Sequence, residues 1–255
     1  MIPRRPAHMV LAGLCLASMC AGRALAFTGQ AGWGDVFTRT EPQDDRSQPA
    51  PTVGRYVSDE GESFVLDRSS PTPLLKFQES QEVLVLSPSQ AARGDTIYRD
   101  DIGEPVLRVT KLGGLIVFTR DRPGGAPAAA QGQAQSLRLQ AISAAVLGQK
   151  LLQASFRATH YARRLIVFDA QEVTSGSEAV FADAAAVAAE AVGHMAKRRD
   201  AQALLNRFGR VLFTPGSTST ANLNNGVMHI TLDPGLGLAG RPSSARIVAA
   251  AAKGG

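Results

Sequence analysis

Beyond its first 26 residues the chain holds three histidines, His160, His194 and His229, and no cysteine. None of them stands in H-E-x-x-H or H-x-H spacing, so the ligand set of a zinc hydrolase is not encoded locally. Glu190 and His194 lie four residues apart, one turn of a helix, and can share a ligand or pair with each other; a surface ion pair is the simpler expectation. Asp169 ends the apolar run Leu165, Ile166, Val167, Phe168. A carboxylate at the end of a strand sits where open α/β sheets bind ligands, and with Glu172 three residues on it could do acid–base work or hold a cation. The competing expectation is that Asp169 caps the next turn. His229 follows Val227 and Met228 in an apolar run and can equally be a hydrogen-bonded sheet residue. The candidate catalytic residues are therefore Asp169, Glu172, His194 and His229, with Glu190 beside His194, and no cofactor or metal site is expected.

Other signatures are missing. There is no G-x-S-x-G elbow and no S-x-x-K. The run from Val211 to Thr220 looks like a strand followed by a phosphate loop, but it lacks the Walker lysine, and Asn224, Asn225 and Gly226 follow where a helix should begin. Gly235, Gly237 and Gly240 have G-x-G-x-x-G spacing with no room after them for a βαβ unit, which argues against dinucleotide binding.

The elements that must position these residues begin with an export signal. Arg4 and Arg5 precede an apolar run from Met9 to Ala21, and Ala24, Leu25 and Ala26 give a small-x-small exit, which together predict a cleavable signal peptide over 1–26. Pro6 and Ala7 after the arginines do not fit a twin-arginine motif, and Met19 before Cys20 does not fit a lipoprotein site. Cleavage would remove both cysteines and Arg4, Arg5 and Arg23, leaving the other Lys and Arg of the 27 against 22 Asp and Glu, a net charge of about +2. That balance is not the footprint of a nucleic-acid binder. The remaining chain would be held by its core without disulfides, and no later apolar stretch is expected to reach membrane-spanning length.

Residues 27–52, with the sole tryptophan Trp33, read as a flexible linker. Residues 53–120 read as a β domain of short apolar runs separated by turns, with 82–86 as a strand buried on both faces. Within it Tyr56 to Glu62 and Tyr98 to Glu104 both spell Y-x-x-D-x-G-E, predicting two hairpins in which Asp59 and Asp101 bond the turn amides and Gly61 and Gly103 take positive φ. Calcium binding by these turns is disfavoured, since each supplies few oxygens. Residues 121–135 read as a second linker. The rest, 136–255, is expected to be helix-rich with a few strands. One helix is expected over 136–162, with small residues including Gly148 at a helix contact. Another should run from a Ser175/Glu178 capping box to about Phe208, with Asp183, Glu190 and Lys197 as its wet stripe. Strands are expected at 211–214 and 227–232 around an Asn-Gly turn, and 246–252 is left open between strand and helix.

The phrases Gly54 to Arg68, Gly94 to Tyr98, Gly103 to Leu107, and Leu112 to Leu115 on to Arg122, Pro123, Gly124 and Gly125 resemble a family of exported alphaproteobacterial proteins, domain of unknown function 4908. That resemblance brings no activity or site residues; it implies a periplasmic or envelope setting. The sequence thus points to an α+β protein, an antiparallel β-meander or small roll followed by a helix-rich segment with a few strands. It is expected to be periplasmic or secreted, binding an envelope protein or polymer without catalysis. The alternative is a periplasmic hydrolase with an unrecognised carboxylate/histidine site.

Overall fold

The computed structural model describes residues 52–253; the expected signal peptide and Trp33 lie outside the described residues. The first half consists of nine strands: β1 (Val53–Ser58), β2 (Ser63–Asp67), β3 (Leu74–Phe77), β4 (Leu84–Val85), β5 (Ser87–Gln90), β6 (Thr96–Arg99), β7 (Pro105–Val109), β8 (Leu115–Val117) and β9 (Ala126–Gln133). All pairings are antiparallel, in the order β4-β3-β2-β1-β9-β8-β7-β6-β5. The two end strands are halves of one continuous strand, separated only by the buried Leu86, whose amide bonds the Pro73 carbonyl at 2.9 Å. The sheet therefore rolls into a nearly closed barrel, which removes most of its free edge. Tyr56, Phe64, Leu66, Leu75, Leu107 and Val117 fill it.

The stretch 121–135 is not a linker: it contains β9, which lies between β1 and β8 and joins the two halves of the meander. Its sequence, Ala-Pro-Ala-Ala-Ala-Gln-Gly-Gln, carries no β-branched residue, so only its neighbours' unpaired backbone groups dictate the strand. The run 82–86 is not one doubly buried strand either, since it bends at Leu86 to serve both ends of the barrel.

Both repeats form the expected hairpins, but the residue before each aspartate makes the turn. The Glu62 amide donates to Ser58 Oγ at 3.0 Å, and the Ile102 and Glu104 amides donate to Asp100 Oδ1 at 3.1 and 2.8 Å. Gly61 and Gly103 have φ of +87° and +89°. The β7–β8 turn repeats the device: the Gly114 amide donates to Thr110 Oγ1 at 2.9 Å, and Gly113 has φ +86°. A short acceptor side chain followed three residues later by glycine is the common rule.

The second half begins at α1 (Ala144–Ala162), capped by Ser143, not at 136. Residues before it are held extended because Asp67 binds them: its carboxylate accepts from Ser136 Oγ at 2.7 Å and the Leu137 amide at 2.9 Å, as well as the Ser69 amide at 2.8 Å. Leu137 and Leu139 alternate inward against Leu74, Val83 and Leu238. Gly148 faces open space; Leu147, Ala154 and Ala158 are the buried stripe. Burial pushes the Asp67 carboxyl up, but these bonds outweigh it and lower its pKa to about 2. A carboxyl depressed from 3.8 to about 2 contributes about 2 kcal/mol above pH 4, lost as the pH falls through 2. Asp67→Ala, which strands two amides and a hydroxyl, is expected to cost about 2–3 kcal/mol at neutral pH in denaturant titrations and to remove that acid-limb slope.

The remaining elements are β10 (Val167–Ala170), α2 (Glu178–Ala196), α3 (Ala201–Leu205), β11 (Arg210–Pro215), β12 (Thr220–Asn224), β13 (Val227–Leu232), a 3-10 segment (Pro234–Gly240) and α4 (Ser244–Lys253). They form a sheet ordered β10-β11-β13-β12, with β10, β11 and β13 parallel and the β12–β13 hairpin turning at Asn225 and Gly226. The protein is thus a mixed α+β fold with one large antiparallel sheet and one small mixed one. Its described residues belong to one compact unit, Gln48–Gly255.

Helix α2 is its centre. Twelve of its residues, mostly alanine and valine, are buried. By length and composition it could cross a membrane, contrary to the expectation that no later stretch could; 61% of that window is buried inside the protein, as for a core helix. The Ser175/Glu178 capping box does not form: Ser177 occupies the cap, and Glu178 accepts from the Gly176 amide at 2.7 Å. Nor does the helix reach 208. Lys197, Arg198, Arg199 and Asp200 cannot be buried, so the chain breaks there, with Arg198 Nε 2.8 Å from Asp200 Oδ1, and restarts as α3 to bury Leu204 and Leu205. Asp183 and Glu190 are not a wet stripe; both are partly buried, Asp183 paired with Arg241 and Glu190 accepting from Ser80 and Gln81.

Candidate functional site

The barrel meets α2 and α4 through buried charge. Arg241 follows the 3-10 segment, and its side chain is 2% exposed. Its guanidinium binds Asp183 of α2, lies 3.5 Å from Glu82 Oε1 and donates to the Val83 carbonyl at 2.7 Å. Glu82, from the β3–β4 loop, accepts from the Ser244 amide at 2.9 Å and Ser244 Oγ at 2.5 Å, so a barrel residue occupies the amino end of α4, where unpaired amides favour an anion. Asp101 of the second repeat accepts from the Ser243 amide at 3.0 Å and pairs with Arg246 at 3.0 Å.

Beside this junction lies a cleft of about 620 Å³, between one end of the barrel and α2 and α4. Its floor includes Phe77, Leu84, Val106 and Phe118. Its walls carry seven carboxylates, Glu62, Glu79, Glu82, Asp100, Glu104, Asp121 and Glu190, with Arg120 and His194 as the basic groups. Glu62 and Glu104 are equivalent positions in the two repeats, so the repeated turn sets a matched pair of acids on the rim. Among the described residues, Glu62, Glu79, Glu104 and Asp121 make no side-chain hydrogen bond or ion pair.

Three groups here are displaced toward their neutral forms. Burial raises Glu82 above the usual glutamate range, against the pull of Arg241 and Ser244. Burial also raises Asp100, helped by neighbouring Asp101 and Glu104 and opposed by its turn amides. His194 is lowered by burial and by Arg120, against Glu190. Such displacement in a concave site marks functional clefts more often than ordinary surface. His194 Nε2 is 3.9 Å from Glu190 Oε1, and its buried Nδ1 has no partner among the described residues. Glu190 is already engaged, accepting from Ser80 Oγ at 2.6 Å and the Gln81 amide at 3.0 Å. The order of contacts therefore puts the carboxylate, not the imidazole, against the serine hydroxyl.

Of the sequence candidates, only Glu190 and His194 meet here. Asp169 pairs with Arg210 across the β10–β11 pair at 2.7 Å. Glu172 is exposed with φ +54°. His229 is a sheet residue on β13, in register with Leu212 and Asn222. Among the described residues, no group of three or more His, Asp or Glu is placed to hold a metal ion. Sequence reasoning missed Ser80, Glu82, Asp100 and Arg241. The available signals were the repeat itself, which marks the rim, and Glu82 opening the buried run Val83 to Leu86.

No curated protein and no solved structure matches the chain significantly. Residues 36–251, most of its length, match the family described as Domain of unknown function (DUF4908), and the chain belongs to that family.

Proposed function

We propose that this is an exported, non-catalytic binding protein whose cleft takes a cationic ligand, one or more ammonium groups on an aliphatic stem. One observation carries the reading: rim carboxylates without partners among the described residues surround an apolar floor. The floor suits the stem and the rim suits the charge. The setting outside the cytoplasm rests on the amino-terminal pattern and the absence of cysteine after it. Amino-terminal sequencing should find Phe27 first.

Calorimetry with spermidine and trilysine is expected to detect binding, and fully acetylated trilysine should give none. Glu62→Gln with Glu104→Gln should weaken binding about tenfold or more, a loss of about 1.4 kcal/mol. Because a bound cation favours the charged form of Asp100, binding should release protons, and affinity should rise with pH from about 4 to neutral. Equal heats for charged and acetylated trilysine would sink the proposal. A hydrolase centred on Glu190 and His194 is the second reading, resting on their pairing in the same cleft. Turnover of a small ester or amide abolished by His194→Gln would favour it.

A further inference from the structure

Between Asp121 and Asp169 the sequence contains no acidic residue and six basic ones. Three of these are tied down: Arg122 pairs with Glu60, Arg138 donates to the Ser69 carbonyl, and Arg164 donates to the carbonyls of Leu205 and Phe208. The other three, Lys150, Arg157 and Arg163, have no hydrogen-bond or ion-pair partner among the described residues. Lys150 and Arg157 lie along one flank of α1, and Arg163 caps its end, beside an apolar patch on the helix's outer face. Leu152 and Phe156, one turn apart, are 73% and 77% exposed, and Leu165 beyond the helix is 68% exposed. The buried stripe, Leu147, Ala154 and Ala158, is on the opposite side. Exposed leucines are ordinary singly; two large apolar side chains one turn apart on an exposed helix face, with a third beyond its end and no acidic residue on that helix, are not.

We infer that the outer face of α1 docks on an anionic lipid surface. A protein groove would be matched by a concave partner, but nothing in the patch's own charge selects one. A plane of phosphate headgroups is complementary to Lys150, Arg157 and Arg163 at once, and admits Leu152 and Phe156 to the headgroup–acyl boundary with the helix lying flat. Asp169, the first acid after the stretch, is neutralised by Arg210 and does not oppose the approach.

Co-sedimentation of the purified protein with phosphatidylethanolamine–phosphatidylglycerol vesicles tests this. Binding is expected to those vesicles, to fall with added salt, and to be weak on phosphatidylcholine alone. Leu152→Ser with Phe156→Ser, and separately Lys150→Gln with Arg157→Gln, should each weaken it about tenfold or more. These residues lie on the surface, and an unchanged circular dichroism spectrum and melting temperature certify the fold. Because the variants share the wild type's amino-terminal segment, any membrane affinity of that segment cancels in the comparison. A Phe156→Trp protein should show a blue-shifted emission component on vesicle addition that the wild type, with Trp33 alone, lacks. Variants that sediment like the wild type would overturn the inference. So would a concentration-dependent dimer abolished by Leu152→Ser with Phe156→Ser, which would make a second copy the occupant.

Discussion

Arg241→Met is expected to cost about 3–5 kcal/mol of folding stability at neutral pH, because it removes the cation from a buried cluster and leaves two carboxylates behind. Arg241 compensates Glu82 and Asp183 at once, and its side chain is almost fully enclosed. Glu82 already lies above its usual range with the arginine present, so without it the carboxyl has more reason to hold a proton. The sign follows directly. A carboxyl whose folded pKa exceeds its unfolded value binds more protons in the native state, so stability rises as the pH falls through that window. The deficit of the variant should therefore shrink between pH 7 and about pH 5. Guanidinium titrations at both pH values, with unchanged slope, measure it. A deficit below about 1 kcal/mol, or one indifferent to pH, would mean that water reaches this junction and screens it.

Gly240→Ala should be as damaging by a steric route. A Cβ there would sit 1.8 Å from the Asp233 carbonyl oxygen and 2.7 Å from its carbon, backbone atoms with nowhere to go, since the Asp233 amide also bonds the Gly240 carbonyl at 2.7 Å. We expect a loss of about 3 kcal/mol or more. Gly237→Ala, at positive φ but with open space around it, should cost about 1 kcal/mol, and Gly235→Ala less. Melting temperatures in the order Gly240→Ala lowest, Gly237→Ala next, Gly235→Ala nearest the wild type would show that this G-x-G-x-x-G spacing is a packing device. Gly240 adjoins Arg241, so the two variants disturb one junction. The double variant should lose less than the sum of the singles.

What could be read from the sequence was local. The strand Val227–Leu232 carries its own alternation, and the Asn-Gly hairpin and the paired repeats carry their own turn chemistry. What could not be read depends on residues distant in the chain. Ala126–Gln133 is a strand only because β1 and β8 offer it unpaired backbone, and Ser136 and Leu137 stay extended only because Asp67 binds them. Asp183 and Glu190 carry the seven-residue spacing of a solvated stripe. Only the positions of Arg241 and Ser80 make them a seam between the halves. The same limit governed the cleft. Glu190 and His194 were visible as a helical pair, while the groups that complete their surroundings come from the barrel loops, about 70 to 110 residues earlier in the chain.

The place of β9 in the barrel has a consequence for how the polypeptide matures. β1 finds β2 almost at once, but its other side stays open until residues 126–133 have been made, and β8 waits for the same segment. While the chain emerges vectorially, amino end first, it presents two adhesive strand margins that only this alanine-rich ribbon can seal. A recombinant fragment ended at residue 120 would keep both margins exposed and is expected to precipitate or to recruit holdase chaperones, whereas one carried through α4 would supply both the sealing ribbon and the helix that Glu82 caps.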